Sequence, residues 1–118
     1  MRTFVQSYGT AAAIAAAVFA SGVLSATSVA SETQHHVVEI RDLEFVPAEL
    51  VVAPGDTITW INHDFVPHTV TADDDSWGST TLKSGDSWKI TAQGDAEGSY
   101  FCTHHPSMTA RLRVVAPN

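Results

Sequence analysis

The sequence predicts an all-β domain, either a β-sandwich or a small barrel of about seven or eight short strands. Short apolar segments recur along the chain, and Gly, Pro or Asp turn signals separate them. No helix-length window of residues 31–118 keeps the apolar spacing of a helix without a Gly or Pro inside it. The clearest strand is the last, because apolar and arginine side chains alternate over residues 110–114.

The predicted strands follow one another with short connections. In chain order they are residues 37–40, 43–45, 49–53, 57–62, 68–72, 87–91, 99–102 and 110–115. Pro54-Gly55-Asp56 predicts the turn that ends the third strand, and Ser84-Gly85-Asp86 predicts the turn before the sixth. The aspartates of residues 73–75 predict a solvated loop between the fifth and sixth strands.

The composition excludes several classes of function. The chain has 118 residues, and its 6 Lys and Arg against 13 Asp and Glu give a formal net charge of −7. Such a chain lacks the clustered basic residues that bind nucleic acid or anionic membranes, so neither is an expected partner. Its one cysteine, Cys102, excludes an internal disulfide and a zinc site that needs two or more thiolates. The length fits a single domain.

Residues 1–30 have the pattern of an export signal peptide. Arg2 is followed by an apolar run over residues 10–24 and then by small residues that end in Ser28-Val29-Ala30. The run is shorter than the ~20 residues of a membrane-spanning helix, and an uncleaved anchor is the alternative interpretation. We therefore expect cleavage after Ala30 and a periplasmic location.

The mature chain, residues 31–118, is expected to be one domain without a membrane span. Its first residues, 31–36, predict a frayed polar lead-in that contains His35 and His36. A domain this short buries a modest core, and an exported one without disulfides needs another source of stability. A bound metal ion can supply it.

Residues 102–108 are the segment that indicates a chemical function. It contains the only cysteine, two histidines and the only methionine besides Met1. A thiolate, an imidazole and a thioether are soft or borderline donors, and together they suit copper cycling between Cu(I) and Cu(II). A tight turn after Cys102 can bring the residues three and six positions later, His105 and Met108, back towards the sulfur. The segment therefore predicts a copper site.

A copper site of this kind needs one more imidazole from elsewhere in the chain. His35 and His36 lie in the predicted lead-in, which is not expected to hold a fixed geometry. His63 and His68 both follow the fourth predicted strand. We favour His68, because Pro67 stiffens its approach and a β segment follows it. His63, in a solvated turn, is the alternative.

Several motifs outside this segment add to the pattern. They are Phe45-Val46-Pro47, residues 50–52, 55–62 and 67–70, and residues 98–102, which lead into the cysteine loop. In these motifs the chain resembles the cupredoxins, the type 1 blue-copper proteins, in their amicyanin, pseudoazurin and plastocyanin branch. The similarity covers nearly all of residues 31–118. The Cys-x2-His-x2-Met spacing is the short ligand loop of the amicyanin form.

The resemblance implies a cupredoxin-like Greek-key β-sandwich that binds one type 1 copper ion. The implied ligands are His68, Cys102 and His105, with Met108 as a weak, distant axial ligand. His104 falls where this branch usually has proline, so it is not an expected ligand.

Two positions depart from the family pattern. Thr69 replaces the asparagine that commonly follows the first ligand histidine and ties the two ligand loops together by hydrogen bonds. Ala110 stands near a position where glycine is common. These departures concern the surroundings of the ligands and hence the reduction potential, and they leave the implied ligand set unchanged.

The resemblance implies a small soluble carrier of single electrons and no enzymatic activity. Larger redox proteins of dehydrogenase, oxidase or cytochrome type would dock transiently beside the exposed edge of His105, on a patch formed by Phe65, Val66, Pro67 and Pro106. We expect a monomer. The alternative function is a periplasmic copper carrier or buffer that delivers the ion to an apo-enzyme.

Overall fold

The computed structural model of the protein describes residue 9, residues 14–25 and residues 32–117. The elements in this part of the chain are β1 (His35–Arg41), β2 (Glu44–Val46), β3 (Glu49–Val52), β4 (Thr57–Asn62), β5 (Thr71–Ala72), β6 (Ser87–Thr91), a 3-10 helix (Gly94–Ala96), β7 (Gly98–Cys102) and β8 (His105–Val114). They form two four-stranded sheets with the strand orders β2-β1-β4-β6 and β3-β8-β7-β5. The predicted all-β sandwich is confirmed.

The chain crosses between the two sheets, so strands far apart in sequence become neighbours. β1 pairs in parallel with β4, and β3 pairs in parallel with β8. Inward-facing side chains of both sheets form one core, whose largest fully buried members include Ile40, Ile58, Trp60, Tyr100 and Leu112. Along β4 every second residue is buried, as the alternation in the sequence predicts.

Both predicted Gly-Asp turns are present and have the same hydrogen bonds. Gly55 and Gly85 adopt φ angles of 92° and 86°, which residues with a Cβ rarely adopt. In each turn the aspartate N–H donates to the carbonyl three residues earlier, at 3.1 Å for Asp56 and 2.9 Å for Asp86. The aspartate carboxylate accepts the N–H of that same earlier residue, at 3.0 and 2.9 Å.

The prediction of a frayed lead-in at residues 31–36 was wrong for its two histidines. β1 begins at His35, which pairs with Thr57, and His36 pairs with Ile58. The partner strand lies more than twenty residues away in sequence, so local polarity did not reveal the pairing. Because neighbouring residues of a strand point to opposite faces, His35 and His36 cannot bind one metal ion together.

Two other predicted strands begin three or more residues away from their start in the structure. The strand predicted at 68–72 covers only Thr71–Ala72, and His68 before it forms an isolated bridge with Leu82. The last strand begins earlier than residue 110, at His105, so part of the predicted copper segment is already β-strand. Both differences arise from backbone pairing with distant segments.

The predicted signal peptide, residues 1–30, is described only in part. Residues 14–25 contain no helix or strand, and their large apolar side chains, such as Phe19, are exposed. The predicted cleavage site at Ser28-Val29-Ala30 lies outside the described residues. Within the described ranges, no helix has the length and apolar character needed to cross a membrane.

Asp56 joins the start of β1 to the turn before β4. Its Oδ1 accepts the Gln34 N–H at 2.8 Å, and its Oδ2 accepts the Ala53 N–H at 3.0 Å. The same Oδ2 lies 2.9 Å from His36 Nε2. The Gln34 N–H first, then the His36 ring and the Ala53 N–H, lower the pKa of Asp56 from its ordinary 3.8 to about 2.

We expect Asp56→Asn to destabilise the fold near neutral pH and to weaken its acid dependence. Because the folded pKa is depressed, the carboxylate stabilises the protein fully above about pH 4, and this contribution is lost as the pH falls towards 2. An asparagine has only one oxygen with which to accept hydrogen bonds. Thermal unfolding followed by circular dichroism at a series of pH values measures the effect.

The matched control is Asp86→Asn, which changes the equivalent turn, where the carboxylate accepts the Lys83 N–H. Below about pH 4, the unfolding temperature of the wild type should fall more steeply than that of Asp56→Asn. If the unfolding temperatures of the wild type and of Asp56→Asn fell equally steeply below about pH 4, the prediction would be wrong.

Candidate metal centre

The hairpin between β7 and β8 brings Cys102 and His105 together. Cys102 ends β7 and His105 begins β8, with a two-residue turn between them. The two residues stand opposite each other in the ladder, next to a register irregularity. Cys102 Sγ lies 4.0 Å from His105 Nδ1. The hairpin therefore brings the cysteine and the histidine together, as the Cys-x2-His spacing predicts.

His68 reaches the same point from the connection between β4 and β5. Its backbone N–H donates to the Leu82 carbonyl at 3.0 Å, and its carbonyl accepts the Leu82 N–H at 2.7 Å. This bridge holds a segment that lies outside the regular strands. The His68 side chain is fully buried, and its Nδ1 lies 3.6 Å from Cys102 Sγ.

Three donor atoms thus converge, one each from His68, Cys102 and His105, and all lie within 4.8 Å of one another. Both imidazoles turn Nδ1 towards the sulfur, and the ring centroids are 5.0 Å apart at an angle of 58°. Cys102 and His68 are buried, whereas His105 is half-buried. Two imidazoles around one thiolate are the donor set of trigonal copper electron-transfer sites, so these residues fit copper.

Met108, the predicted axial ligand, lies on β8 three residues after His105. It is 3% exposed and belongs to the buried core that also contains Cys102. A buried thioether serves both as apolar packing and as a weak metal ligand. Its axial role therefore stays a prediction.

The remaining histidines lie apart from these donor atoms. His63 is exposed, and its Nε2 lies 3.8 Å from a carboxylate oxygen of Glu39. His104 is also exposed and lies 3.4 Å from the Thr81 hydroxyl. The structure therefore brings His68 to the cysteine and leaves His63, the alternative ligand, at the surface.

Thr69 connects the two ligand segments at the position where the family pattern commonly has asparagine. Its backbone N–H donates to Cys102 Sγ at 3.3 Å. Its Oγ1 accepts the Thr103 N–H at 2.9 Å and lies 3.0 Å from the Thr103 hydroxyl. A threonine hydroxyl thus ties the loops together in place of an amide, so the departure at residue 69 does not remove the link. Ala110, the other departure, is buried and pairs with Tyr100 across β7 and β8.

Asp64 is a residue of the site that the sequence reasoning missed. Its Oδ2 lies 2.8 Å from His68 Nε2, on the side of the ring opposite the sulfur. When Nε2 carries the proton and donates it to this carboxylate, the Nδ1 lone pair is free to face a metal ion. A carboxylate four residues before a ligand histidine has no recognisable sequence signature in a loop, so only the fold reveals it.

The same carboxylate also holds the turn between β1 and β2. It accepts the Asp42 N–H at 2.7 Å and the Leu43 N–H at 3.0 Å, two residues with positive φ angles. Burial opposes ionisation of Asp64, but the Leu43 N–H, the His68 ring and the Asp42 N–H outweigh it and keep its pKa below the ordinary value. Asp64 therefore stays a carboxylate and orients His68.

We expect Asp64→Ala to weaken copper binding by about 10- to 100-fold, as is typical when a residue that orients a metal-ligating histidine is removed. A competitive titration against a chelator of known affinity measures the loss. Asp74→Ala is the matched control, because that carboxylate accepts the Ser76 N–H in an exposed loop. Equal copper affinities of Asp64→Ala and Asp74→Ala would show that Asp64 does not orient the ligand.

Comparison with known proteins agrees with this geometry. Residues 11–115 match the model of the family described as the Cupredoxin-like domain. The chain is 32% identical over 83 residues to the amicyanin of Paracoccus denitrificans. This alignment covers 66% of this chain and 63% of that protein. It is 28% identical over 120 residues to amicyanin-alpha of Methylorubrum extorquens, and this alignment covers 97% of this chain and 99% of that protein.

A solved structure of the Cu(I) form of an amicyanin variant superposes with a TM-score of 0.60 and 30% identity. The superposition covers 75% of this chain and 87% of that one. The family match and the cluster of one thiolate and two imidazoles confirm copper as the cofactor that the donor set predicts. The predicted resemblance is confirmed, and the chain belongs to the cupredoxin family.

Proposed function

We propose that the chain is an exported carrier of single electrons that cycles one type 1 copper ion between Cu(II) and Cu(I). His68, Cys102 and His105 would hold the ion, with Met108 as a weak axial ligand. The observation that carries the proposal is the convergence of three donor atoms within 4.8 Å, two of them buried and one on a ring that reaches the surface.

The residues around the ligands limit how far the ligands can move. His68 is held by its backbone bridge to Leu82 and by Asp64 on its ring, and Thr69 fastens its segment to the sulfur. Copper supplies the redox chemistry, a change of valence by one electron. Ligands that stay in place favour this step in both directions, and a site filled by four ligands has no open position for a substrate. We therefore infer a carrier rather than an enzyme.

Exposed apolar residues next to two of the ligands in sequence support a docking surface beside the half-buried edge of His105. Phe65, Val66 and Pro67 precede His68, and Pro106 follows His105. Phe65 is 98% exposed and Val66 42% exposed, and Pro67 and Pro106 are exposed as well. Apolar side chains that stand this far out of a fold suit small, transient encounters between redox proteins. We infer that dehydrogenase-, oxidase- or cytochrome-type proteins dock there. We also infer that the carrier is a monomer, and analytical ultracentrifugation tests this.

Phe65→Glu should slow electron exchange with a protein partner and leave the copper spectrum unchanged. Loss of an aromatic anchor from an interface costs about 1 kcal/mol or more, which is about fivefold in rate. Stopped-flow oxidation of a soluble c-type cytochrome by the Cu(II) protein measures it. Val51→Glu is the matched control. Val51 is 53% exposed on β3, so this substitution adds the same charge outside the proposed docking surface. Equal rates for the two variants would contradict the docking surface.

The inference that the chain is exported rests on the sequence pattern of residues 1–30. We infer cleavage after Ala30 and a periplasmic mature chain of residues 31–118. The intact mass of the protein recovered from the periplasm of an expressing bacterium tests this directly. A mass that includes residues 1–30, or recovery in the membrane fraction, would favour the uncleaved anchor.

The decisive experiment on function is to load the purified full chain with Cu(II) and to record its visible spectrum. An intense thiolate-to-copper charge-transfer band that bleaches with ascorbate and returns with ferricyanide, over repeated cycles, supports the carrier. A colourless protein overturns the proposal. Transfer of the copper to a competing apo-protein faster than redox cycling would favour copper delivery instead.

A further inference from the structure

Four aromatic side chains form a continuous array across the core. Tyr100 and Trp60 have ring centroids 5.7 Å apart, and Trp60 lies 5.4 Å from Trp88 and 6.0 Å from Trp77. Trp77 and Trp88 are stacked at 6.2 Å, and Trp77 lies 5.6 Å from Tyr100. Every step therefore falls within the range of direct aromatic contact.

One end of the array lies on β7, the strand that carries the sulfur of the proposed copper site. Tyr100 is two residues before Cys102 on β7, and both side chains are buried on the same face of that strand. Trp60 is fully buried, and its indole N–H donates to the Tyr100 hydroxyl at 3.2 Å. Covalent bonds and this hydrogen bond thus link Cys102 to Trp60.

The other end reaches the surface of the opposite sheet. Trp88 lies on β6, the edge strand, where it pairs with Trp60 on β4. Trp88 and Trp77 are half-buried, in contrast to Trp60. The array therefore runs from β7, the strand that carries the sulfur, to β6, the edge strand of the other sheet.

Two of the three indole N–H groups, those of Trp60 and Trp77, have no strong base beside them, which favours loss and return of an electron without loss of the proton. Trp77 Nε1 is buried and has no hydrogen-bond partner among the described residues. The Trp60 N–H meets a hydroxyl rather than a carboxylate or an imidazole. Without a base beside the N–H, an oxidised indole stays a radical cation, which a single electron converts back to tryptophan.

We propose that Trp60, Trp77 and Trp88, the tryptophan relay, let the reduced copper site neutralise one-electron oxidising radicals that reach the β6 edge. The inference rests on the proposed redox function. The radical takes one electron from Trp77 or Trp88, Trp60 refills that indole, and an electron from Cu(I) refills Trp60 through Tyr100 and Cys102. In total one radical is reduced by one electron and one Cu(I) becomes Cu(II), with no net transfer of a proton.

The test uses the Cu(I) form of the full chain and azide radicals, generated by pulse radiolysis, as the oxidant. Transient absorption should show tryptophan radicals first, then their first-order decay as the Cu(II) band grows, at a rate that does not depend on protein concentration. Trp60→Phe should lose most of this intramolecular phase, because only the contact between Trp77 and Tyr100 then joins the outer indoles to β7. Ile90→Val, on the same strand as Trp88 but without an aromatic ring, should keep it.

A second variant covers the case in which Trp60→Phe fails to fold. Trp77→Phe combined with Trp88→Phe changes only the half-buried end, and it should also lose the first-order phase. A readout without copper is peptide mass spectrometry. Oxygen adducts on Trp77 and Trp88 after radical exposure should be severalfold more abundant in the copper-free protein than in the Cu(I) form.

Two results would overturn the relay. One is a wild-type first-order phase in both tryptophan variants, and the other is equal adduct formation with and without Cu(I). Oxidation of the Cu(I) protein by ferricyanide separates the two proposals. If ferricyanide fails to oxidise it, the proposed function is wrong; if it succeeds while no intramolecular phase follows radical capture, only the relay is wrong.

Discussion

Replacing Cys102 by serine is expected to abolish the visible charge-transfer band of the copper-loaded protein and to remove tight copper binding. The band needs a thiolate, and a serine hydroxyl neither ionises near neutral pH nor offers a soft donor. The loss of affinity should exceed the ~10- to 100-fold expected for residues that only orient a ligand, because this change removes a donor atom itself. Visible absorption and chelator competition measure the two effects.

The control for this prediction is His63→Gln, which removes an exposed histidine next to Glu39. It should keep the full band and the wild-type affinity. Serine is close in size to cysteine, so the copper-free Cys102→Ser protein should still unfold cooperatively by circular dichroism. A Cys102→Ser protein that stays intensely coloured, or a His63→Gln protein that loses its colour, would contradict the ligand assignment.

Copper is expected to stabilise the fold strongly. At a thousandfold excess of free copper over its dissociation constant, binding to the folded state alone adds about 4 kcal/mol. For a domain of this size, that corresponds to a rise in Tm on the order of 15 °C or more. The expected gain arises because the ion links His68 to the Cys102 hairpin, segments that lie 34 residues apart in the chain.

Thermal unfolding of the protein with and without Cu(II), and again after removal of the ion by a chelator, measures this stabilisation. Cys102→Ser is the control, and copper should leave its Tm nearly unchanged. The same Tm in the copper-free and copper-loaded wild type would mean that the three donor atoms do not act as a metal site in solution. Equal shifts in wild type and Cys102→Ser would locate the binding elsewhere, for example at His35 or His36.

The sequence pattern predicted those features of the fold and site that depend on neighbouring residues. Glycine at the left-handed position predicted the turns that Gly55 and Gly85 form, because few other residues adopt that conformation. The spacing of Cys102 and His105 predicted their contact, because a two-residue hairpin turn brings such a pair together. The alternation along β4 and β8 likewise predicted which side chains face the core.

Features that join distant segments were predicted poorly or not at all. β1 was missed at His35 and His36, because its extent is set by pairing with β4 rather than by its own composition. The carboxylate of Asp64 on the His68 ring and the hydroxyl of Thr69 on the cysteine loop both join segments through tertiary contacts. The array that Trp60, Trp77 and Trp88 form also depends on contacts between segments that are distant in sequence.

By itself, the sequence determined the all-β class, the two tight turns and a loop of soft donors suited to copper, since each follows from residue type and short-range spacing. Only the tertiary structure decided that His68 rather than His63 meets the sulfur, and which residues orient it. The physical reason is that a metal site depends on the relative placement of strands. That placement results from sheet pairing and core packing over the whole domain, which no local pattern encodes.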